Sequence, residues 1–277
     1  MDLYTKNAFQ CSVITTRNYS TSFSLGIRLL SKRYRLPIHG IYGFVRFADE
    51  IVDTFHDYNK SELLQHFREE TYKAIKDKIS TNPILHSFQW TVNKYSIQRS
   101  VIDAFLDSME MDLKHQIHNN KTFKTYVYGS AEAVGLMCLS VFTDGDSTEY
   151  DRLKSPARKL GEAFQKVNFL RDIKDDFEER QRAYFPKLDP SSFNDEHKST
   201  IEQDIATDFK VAYGGIKALN KESRLGVYLA YSYYQKLFRK ISRTKAKNIM
   251  QCRYRISNTY KLALLVQSYI KFKINLI

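Results

Sequence analysis

The sequence predicts an all-α single domain, and three observations carry that reading. Its 277 residues include only ten Gly and five Pro, where average usage of about 7% and 5% would give roughly 19 and 14. Apolar residues recur at helical spacing along most of the chain, and no run alternates in the manner of a strand. With 43% hydrophobic and 27% charged residues, the chain is neither disordered nor collagen-like. One domain over 1–277 with a substantial core is expected. In order, helical periodicity covers 37–60, opening at Pro37 and rich in aromatic and aliphatic residues, then 62–79, 84–95 and 100–116. It continues over 123–143, which holds the densest apolar run at 134–142, and over 151–180, with Phe169, Leu170, Ile173 and Phe177. The polar, Pro-containing stretch 186–200 reads as a surface loop, because the pattern resumes at 201–220, 224–250 and 257–273.

Charge is distributed unevenly. The net charge is +12, and no acidic residue follows Glu222, whereas twelve Lys and Arg do. The whole excess therefore sits in the last fifth of the chain, which should face nucleic acid, membrane lipid or a phosphorylated substrate. No helix-turn-helix, zinc-finger or RNA-binding signature accompanies it, and Leu, Ile, Phe and Tyr interleave the cations at helical spacing, so nucleic acid is not an expected partner. Cys11, Cys138 and Cys252 are odd in number and widely separated, which indicates neither a disulfide framework nor a zinc site. The first six residues do not lead into an apolar run, so no signal peptide is read, and the 134–142 run falls far short of the ~18 residues of a membrane span. A cytoplasmic protein is expected, with the basic tail a candidate for peripheral contact with the anionic inner face of the cell membrane.

Five Asp-x-x-x-Asp pairs occur: Asp49/Asp53, Asp53/Asp57, Asp103/Asp107, Asp172/Asp176 and Asp204/Asp208. Like charges one turn apart cost a few tenths of a kcal/mol in an isolated helix, so context must separate the purposeful ones. Around the first pair, Tyr42, Arg46, Asp49 and Asp53 fall within a strip about 60° wide at 100° per residue. Phe44, Phe47, Ala48, Ile51 and Val52 cover the other sides. A helix apolar nearly all round is buried, so the strip should face an internal cavity, where two carboxylates need a cation between them. In the second case Gln165, Asn168, Asp172 and Asp176 share one face over about three turns. Oxygen donors without His or Cys suit magnesium, with manganese the alternative ion. Asp103/Asp107 and Asp204/Asp208 lack such companions and read as solvent-facing.

These residues resemble the squalene and phytoene synthases over nearly the whole chain. The family's first aspartate motif is similar to residues 42–53, in which Asp49 and Asp53 match the essential pair, and its second to 165–172 followed by Asp176. Arg17-Asn18-Tyr19-Ser20-Thr21-Ser22-Phe23 resembles its serine-containing segment. Residues 126–135 resemble its central Tyr/Gly helix, and Arg182-Ala183-Tyr184-Phe185-Pro186 its Arg-x-Tyr-x-Pro signature. Three positions depart from the pattern: Glu50 for a second Asp, Gln181 for a Gly and Glu132 for a Gly. None removes a presumed ligand.

The resemblance implies an isoprenoid-synthase helical bundle around a central cavity. It implies a magnesium-dependent prenyltransferase that joins two allylic diphosphates through a cyclopropylcarbinyl diphosphate. Asp49, Asp53, Asn168, Asp172 and Asp176 would be metal ligands, with Tyr128 added to the four aspartates as a catalytic residue. Ser20, Ser22, Arg46, Gln165, Arg171, Arg182 and Lys261 would meet the diphosphates, with Arg255 a further tail residue near the mouth. Phe23, Tyr42 and Tyr184 would line the cavity. Phytoene from two geranylgeranyl diphosphates, made by proton loss without NADPH in carotenoid biosynthesis, is the expected product. Squalene or dehydrosqualene from two farnesyl diphosphates is the alternative. A non-enzymatic member would have lost its aspartates, which this chain keeps. A monomer is expected.

Overall fold

The computed structural model describes residues 1–114, 119–178, 185, 193–249, 251 and 253–277, of 175–178 the backbone only. Thirteen α-helices occupy these residues, and no strand does. They are α1 (Leu3–Tyr19), α2 (Thr21–Arg28), α3 (Lys32–Asp53), α4 (Lys60–Asp77), α5 (Pro83–Tyr95), α6 (Arg99–Leu113), α7 (Asn120–Val127), α8 (Ala133–Phe142), α9 (Ser147–Glu178), α10 (Asp195–Ala218), α11 (Lys221–Ser242), α12 (Ala246–Ile249) and α13 (Asn258–Lys273). A single π-helical turn, Tyr128–Glu132, joins α7 to α8.

Two helices precede the first expected one. The buried residues of α1 are Thr5, Ala8, Phe9, Ser12, Val13 and Thr16, so half of its inward face is hydroxylated and carries little apolar periodicity. Those hydroxyls are satisfied inside: Ser12 bonds Ser87 at 2.7 Å and Thr16 bonds His39 at 2.9 Å. Helix α3 starts five residues before Pro37, which it carries internally, and ends at Asp53 rather than 60. The Lys60 ammonium folds back to donate to the Val52 carbonyl at 2.9 Å, and Asn59 caps α4. Helix α10 reaches into the expected 186–200 loop, because Asn194 accepts from the Glu196 and His197 amides at 3.0 and 2.9 Å. Lys198 is buried there and donates to the Ser242 carbonyl at 3.2 Å.

Two apolar cores form. One gathers α3 to α6 with α8 around Phe44, Phe88 and Phe105. The other joins α9, α10 and α11 around Val167, Phe209 and Leu237. Between them lies a cavity of about 350 Å³ lined by α2, α3, the π turn, α8, α9, α10 and α11. Many of its wall residues are Gly or Ala, where helices nearly touch. A Cβ on Gly161 of the wall would stand 2.7 Å from the Ala131 carbonyl oxygen, and one on Gly129, beside the lining residue Ser130, 2.2 Å from that of Ala104. The π turn is thus clamped between α6 and α9, and no larger residue fits at either place without helix movement. The stretch Asn120–Phe142 is long and apolar enough to cross a membrane, yet 61% of its apolar window is buried inside the protein. It is the wall between cavity and core.

The Asp204/Asp208 pair corrects the solvent-facing expectation. Asp208 is only 1% exposed, although Asp204 is 58% exposed. Both reach across from α10 to Lys166 of α9, and Asp208 also meets Lys159 at 2.8 Å. Asp103 and Asp107 do remain at the surface, held by Arg99 at 3.5 Å and Arg68 at 2.6 Å.

Candidate active site

The cavity is apolar at one end and polar at the other. Its far end is closed by Leu30, Phe142, Leu153 and Leu219. The Phe142 carbonyl accepts from Asn220 Nδ2 at 2.5 Å and from the Tyr34 hydroxyl at 3.4 Å, which fixes that floor. At the opposite end Phe23, Tyr42, Ser130, Asn168 and Tyr234 meet. Phe23 stacks on Tyr42 with ring centroids 5.0 Å apart. Ser20 caps α2 by accepting from the Phe23 amide at 3.2 Å and also bonds the Tyr42 hydroxyl, whose pKa burial pushes up to about 12. Ser22 is half-buried in the first turn of α2.

The α3 strip stands at this polar end. Arg46 pairs with Glu50, lies 3.7 Å from Asp49 and stacks over the Tyr19 ring at 4.2 Å. Its Nε is buried without a hydrogen-bond partner among the described residues. The Asp49 carboxyl is about one third exposed, but protein crowds it on the other sides. Burial pushes its pKa up to about 7, Arg46 opposes the rise, and Asp53, Asp112 and Glu50 add to it. Asp112 is a carboxylate that sequence reading missed; it comes from α6, is nearly buried, and accepts from the Tyr126 hydroxyl at 3.0 Å. Asp49, Asp53 and Asp112 thus gather three carboxyl groups, all hard oxygen donors, where one already resists ionisation. That donor set fits magnesium or manganese.

The second strip lies on α9. Asn168 accepts from the Tyr234 hydroxyl at 3.2 Å, and Gln165 donates to Ser130 Oγ at 3.3 Å. Asp172 is bracketed by Arg171, whose Nε is 2.9 Å away, and by Arg253, whose Nε is 2.7 Å away. Tyr42 and Tyr234 interact electrostatically, so the two strips approach each other across the cavity mouth. Arg182 and Tyr184 lie outside the described residues, as does the Asp176 side chain.

Near two of the expected residues, Tyr128 and Lys261, further side chains approach the site. Tyr128 does not line the cavity; its ring packs on the first core beneath the Arg158 guanidinium, 5.1 Å away. Arg158 Nε in turn pairs with Glu132 at 2.5 Å, which accounts for an acid where the resemblance has Gly. Tyr126, two residues earlier, is the tyrosine directed toward the acidic group. A signal for it existed: Tyr126 precedes Ser130 and Val134 at four-residue spacing, and both line the cavity. From the tail, Arg253 reaches the site on Asp172. Lys261 lies 5.6 Å from the Tyr233 ring, its pKa lowered by burial and by Arg255.

Glu162, Asp204 and Asp208 also bring carboxylate oxygens within 4.8 Å of one another, close enough to hold a metal ion. The Lys166 ammonium already stands among them, 2.6 Å from Glu162 and 2.7 Å from Asp208. A cation fills that position without any metal.

The raised Asp49 pKa has a consequence for stability. A carboxyl whose folded value lies above its unfolded one contributes stability that is complete below about pH 4 and is lost as pH rises through about 7. Metal-free protein should therefore lose more thermal stability between about pH 5 and pH 8 than its Asp49→Asn variant does. Parallel melting curves for the two across that interval would contradict the assignment.

The family model described as squalene/phytoene synthase matches residues 16–259. Among curated relatives, a 4,4'-diapophytoene synthase of Staphylococcus haemolyticus is 25% identical, with 79% of this chain and 82% of the relative covered. A phytoene synthase of Arthrospira platensis is 27% identical, with 85% and 84% covered. Plant chloroplastic phytoene synthases match too; the alignment covers 66% of the length of that from Narcissus pseudonarcissus. A dehydrosqualene synthase solved in complex with a ligand superposes with a TM-score of 0.81 at 19% identity, over 97% of this chain and 98% of that one.

Proposed function

Because the chain belongs to the squalene/phytoene synthase family, whose members condense prenyl diphosphates head to head, we propose that it makes 15-cis-phytoene from two geranylgeranyl diphosphates. Cavity length carries this choice of substrate. The wall residues on one helical run extend from Ser130 to Phe142, about 18 Å at 1.5 Å per residue. A geranylgeranyl chain of sixteen skeletal bonds at about 1.2 Å each reaches roughly 19 Å, and a farnesyl chain of twelve roughly 14 Å. The longer chain matches the run from Ser130 to Phe142, and the shorter one falls about one isoprene unit short of it.

Asp49 and Asp53 on one wall, and Asn168, Asp172 and Asp176 on the other, would hold magnesium, which when bound draws negative charge from the departing diphosphates. Ser20, Ser22, Gln165, Arg171, Arg182 and Lys261 are the groups for direct phosphate contact, and Arg253 joins them through its position on Asp172. Arg46 has its buried Nε–H to offer a phosphate oxygen. Release of the first diphosphate leaves an allylic cation that alkylates the double bond of the second prenyl chain, and loss of a proton from the newly attached carbon closes the ring of a cyclopropylcarbinyl diphosphate. Release of the second opens that ring, and loss of a proton ends the sequence without NADPH. The stacked Phe23 and Tyr42 rings and Tyr234 present aromatic faces to cationic carbon, and the apolar wall keeps water from it. Tyr128 remains the candidate catalytic tyrosine, and the Tyr126 hydroxyl is held on Asp112 at the acidic end.

Purified protein with magnesium and geranylgeranyl diphosphate, without nicotinamide, should yield a forty-carbon triene. A thirty-carbon product from farnesyl diphosphate alone would move the substrate to the alternative. No product from either would overturn the catalytic reading.

A further inference from the structure

Seventeen large hydrophobic side chains are exposed among the described residues, and seven of them lie between Tyr260 and Leu276. Helix α13 packs inward on α11 through its buried Leu264 and Ser268. It leaves Leu262, Val266 and Ile270 on the outside, 60%, 50% and 53% exposed. They stand at four-residue intervals and form one ridge, with Tyr269 beside it. Monomeric surfaces seldom keep such a row uncovered.

The surrounding charge selects what covers it. Lys271 borders the ridge, Lys273 falls in line with it, and no acidic side chain occurs anywhere after Glu222. A second copy docking through the same face would bring these like charges together. An anionic lipid surface takes the apolar row into its headgroup boundary and the ammonium groups against its phosphates. We propose that the outward face of α13 docks the protein on a bilayer containing anionic phospholipid. Helix α11 links this face to the cavity: α13 lies on one side of it, while Val227, Ala230 and Tyr234 on the other line the cavity wall. Docking thus sets the cavity beside lipid, although the docking itself does not rest on which reaction is catalysed.

Flotation of the full chain with two kinds of vesicle tests the proposal, one of phosphatidylcholine and one of phosphatidylcholine and phosphatidylglycerol in equal parts. Binding should be strong only to the second, should weaken as salt is raised, and should fall at least about tenfold in a Leu262→Glu/Val266→Glu/Ile270→Glu variant. A Leu262→Ser/Val266→Ser variant serves if the triple one fails to fold. Diphosphate release measured in detergent micelles should be unchanged in either, which separates docking from catalysis. Absent flotation of the wild type, or equal flotation of wild type and variant, would overturn the proposal. So would a dimer, seen by sedimentation, that the variant dissolves.

Discussion

Asp49→Ala is expected to lower turnover at least about a thousandfold while leaving the melting temperature unchanged or higher. The two halves of that result have one cause. The carboxyl sits where burial and the neighbouring Asp53 and Asp112 oppose its ionisation, so the folded protein gains nothing from it as a charge. Its value lies in what it holds: losing a single preorganised electrostatic contact in an active site typically costs 100- to 1,000-fold, and a metal ligand also positions the substrate. Residues that serve chemistry at the expense of stability often show this opposition when removed. Asp103→Ala is the matching control, since Asp103 sits at the surface with Arg99 and Tyr72; its turnover should stay near wild type. Turnover by Asp49→Ala within about tenfold of wild type would sink the metal assignment.

Lys166→Met is expected to destabilise the fold by about 3–5 kcal/mol, the usual cost of removing one partner from a buried ionic group. Lys166 is 3% exposed and contacts Glu162, Asp204 and Asp208 together. Without it, Asp208, 1% exposed, keeps only Lys159. Burial raises the Asp208 pKa even with both ammonium groups present, so the cluster is near balance as a whole and costly only when broken. For a chain of this size such a loss lowers the melting temperature by about 10 °C. A shift under about 2 °C in calorimetry would contradict this reading. Since Lys166 lies between Gln165 and Asn168, the cluster also fixes the rotation of α9 that turns those two amides to the cavity.

Helices whose buried face is apolar were legible in the sequence from α3 to α9, as was the grouping of Tyr42, Arg46 and Asp49 on one side of α3. Helix α1 was not, because Thr5, Ser12 and Thr16 bury hydroxyls in place of aliphatic groups. Asp208 and Lys166 were illegible for a related reason: a charge reads as exposed until its partner on another helix is known. Asp112 has no acidic companion three or four residues away in α6, so nothing local distinguishes it. Arg253 was one cation among twelve, and only the return of the chain after α12 sets it on Asp172. The contact of Tyr126 with Asp112 could not be read, because it joins two helices.

The near contact of helices at Gly161 and at the other Gly and Ala positions of the cavity wall makes its response to mutation one-sided. An added methyl group at Gly161 or Gly135 meets the carbonyl oxygen of the facing segment, at 2.7 and 3.2 Å, and must move the backbone apart. Trimming cannot widen the cavity there, because no side chain is left to trim. Change toward a longer substrate is therefore confined to the far end, where Phe142, Leu153 and Leu30 still have carbon to lose. The range of products within mutational reach of this chain is set by where its backbone, rather than its side chains, forms the wall.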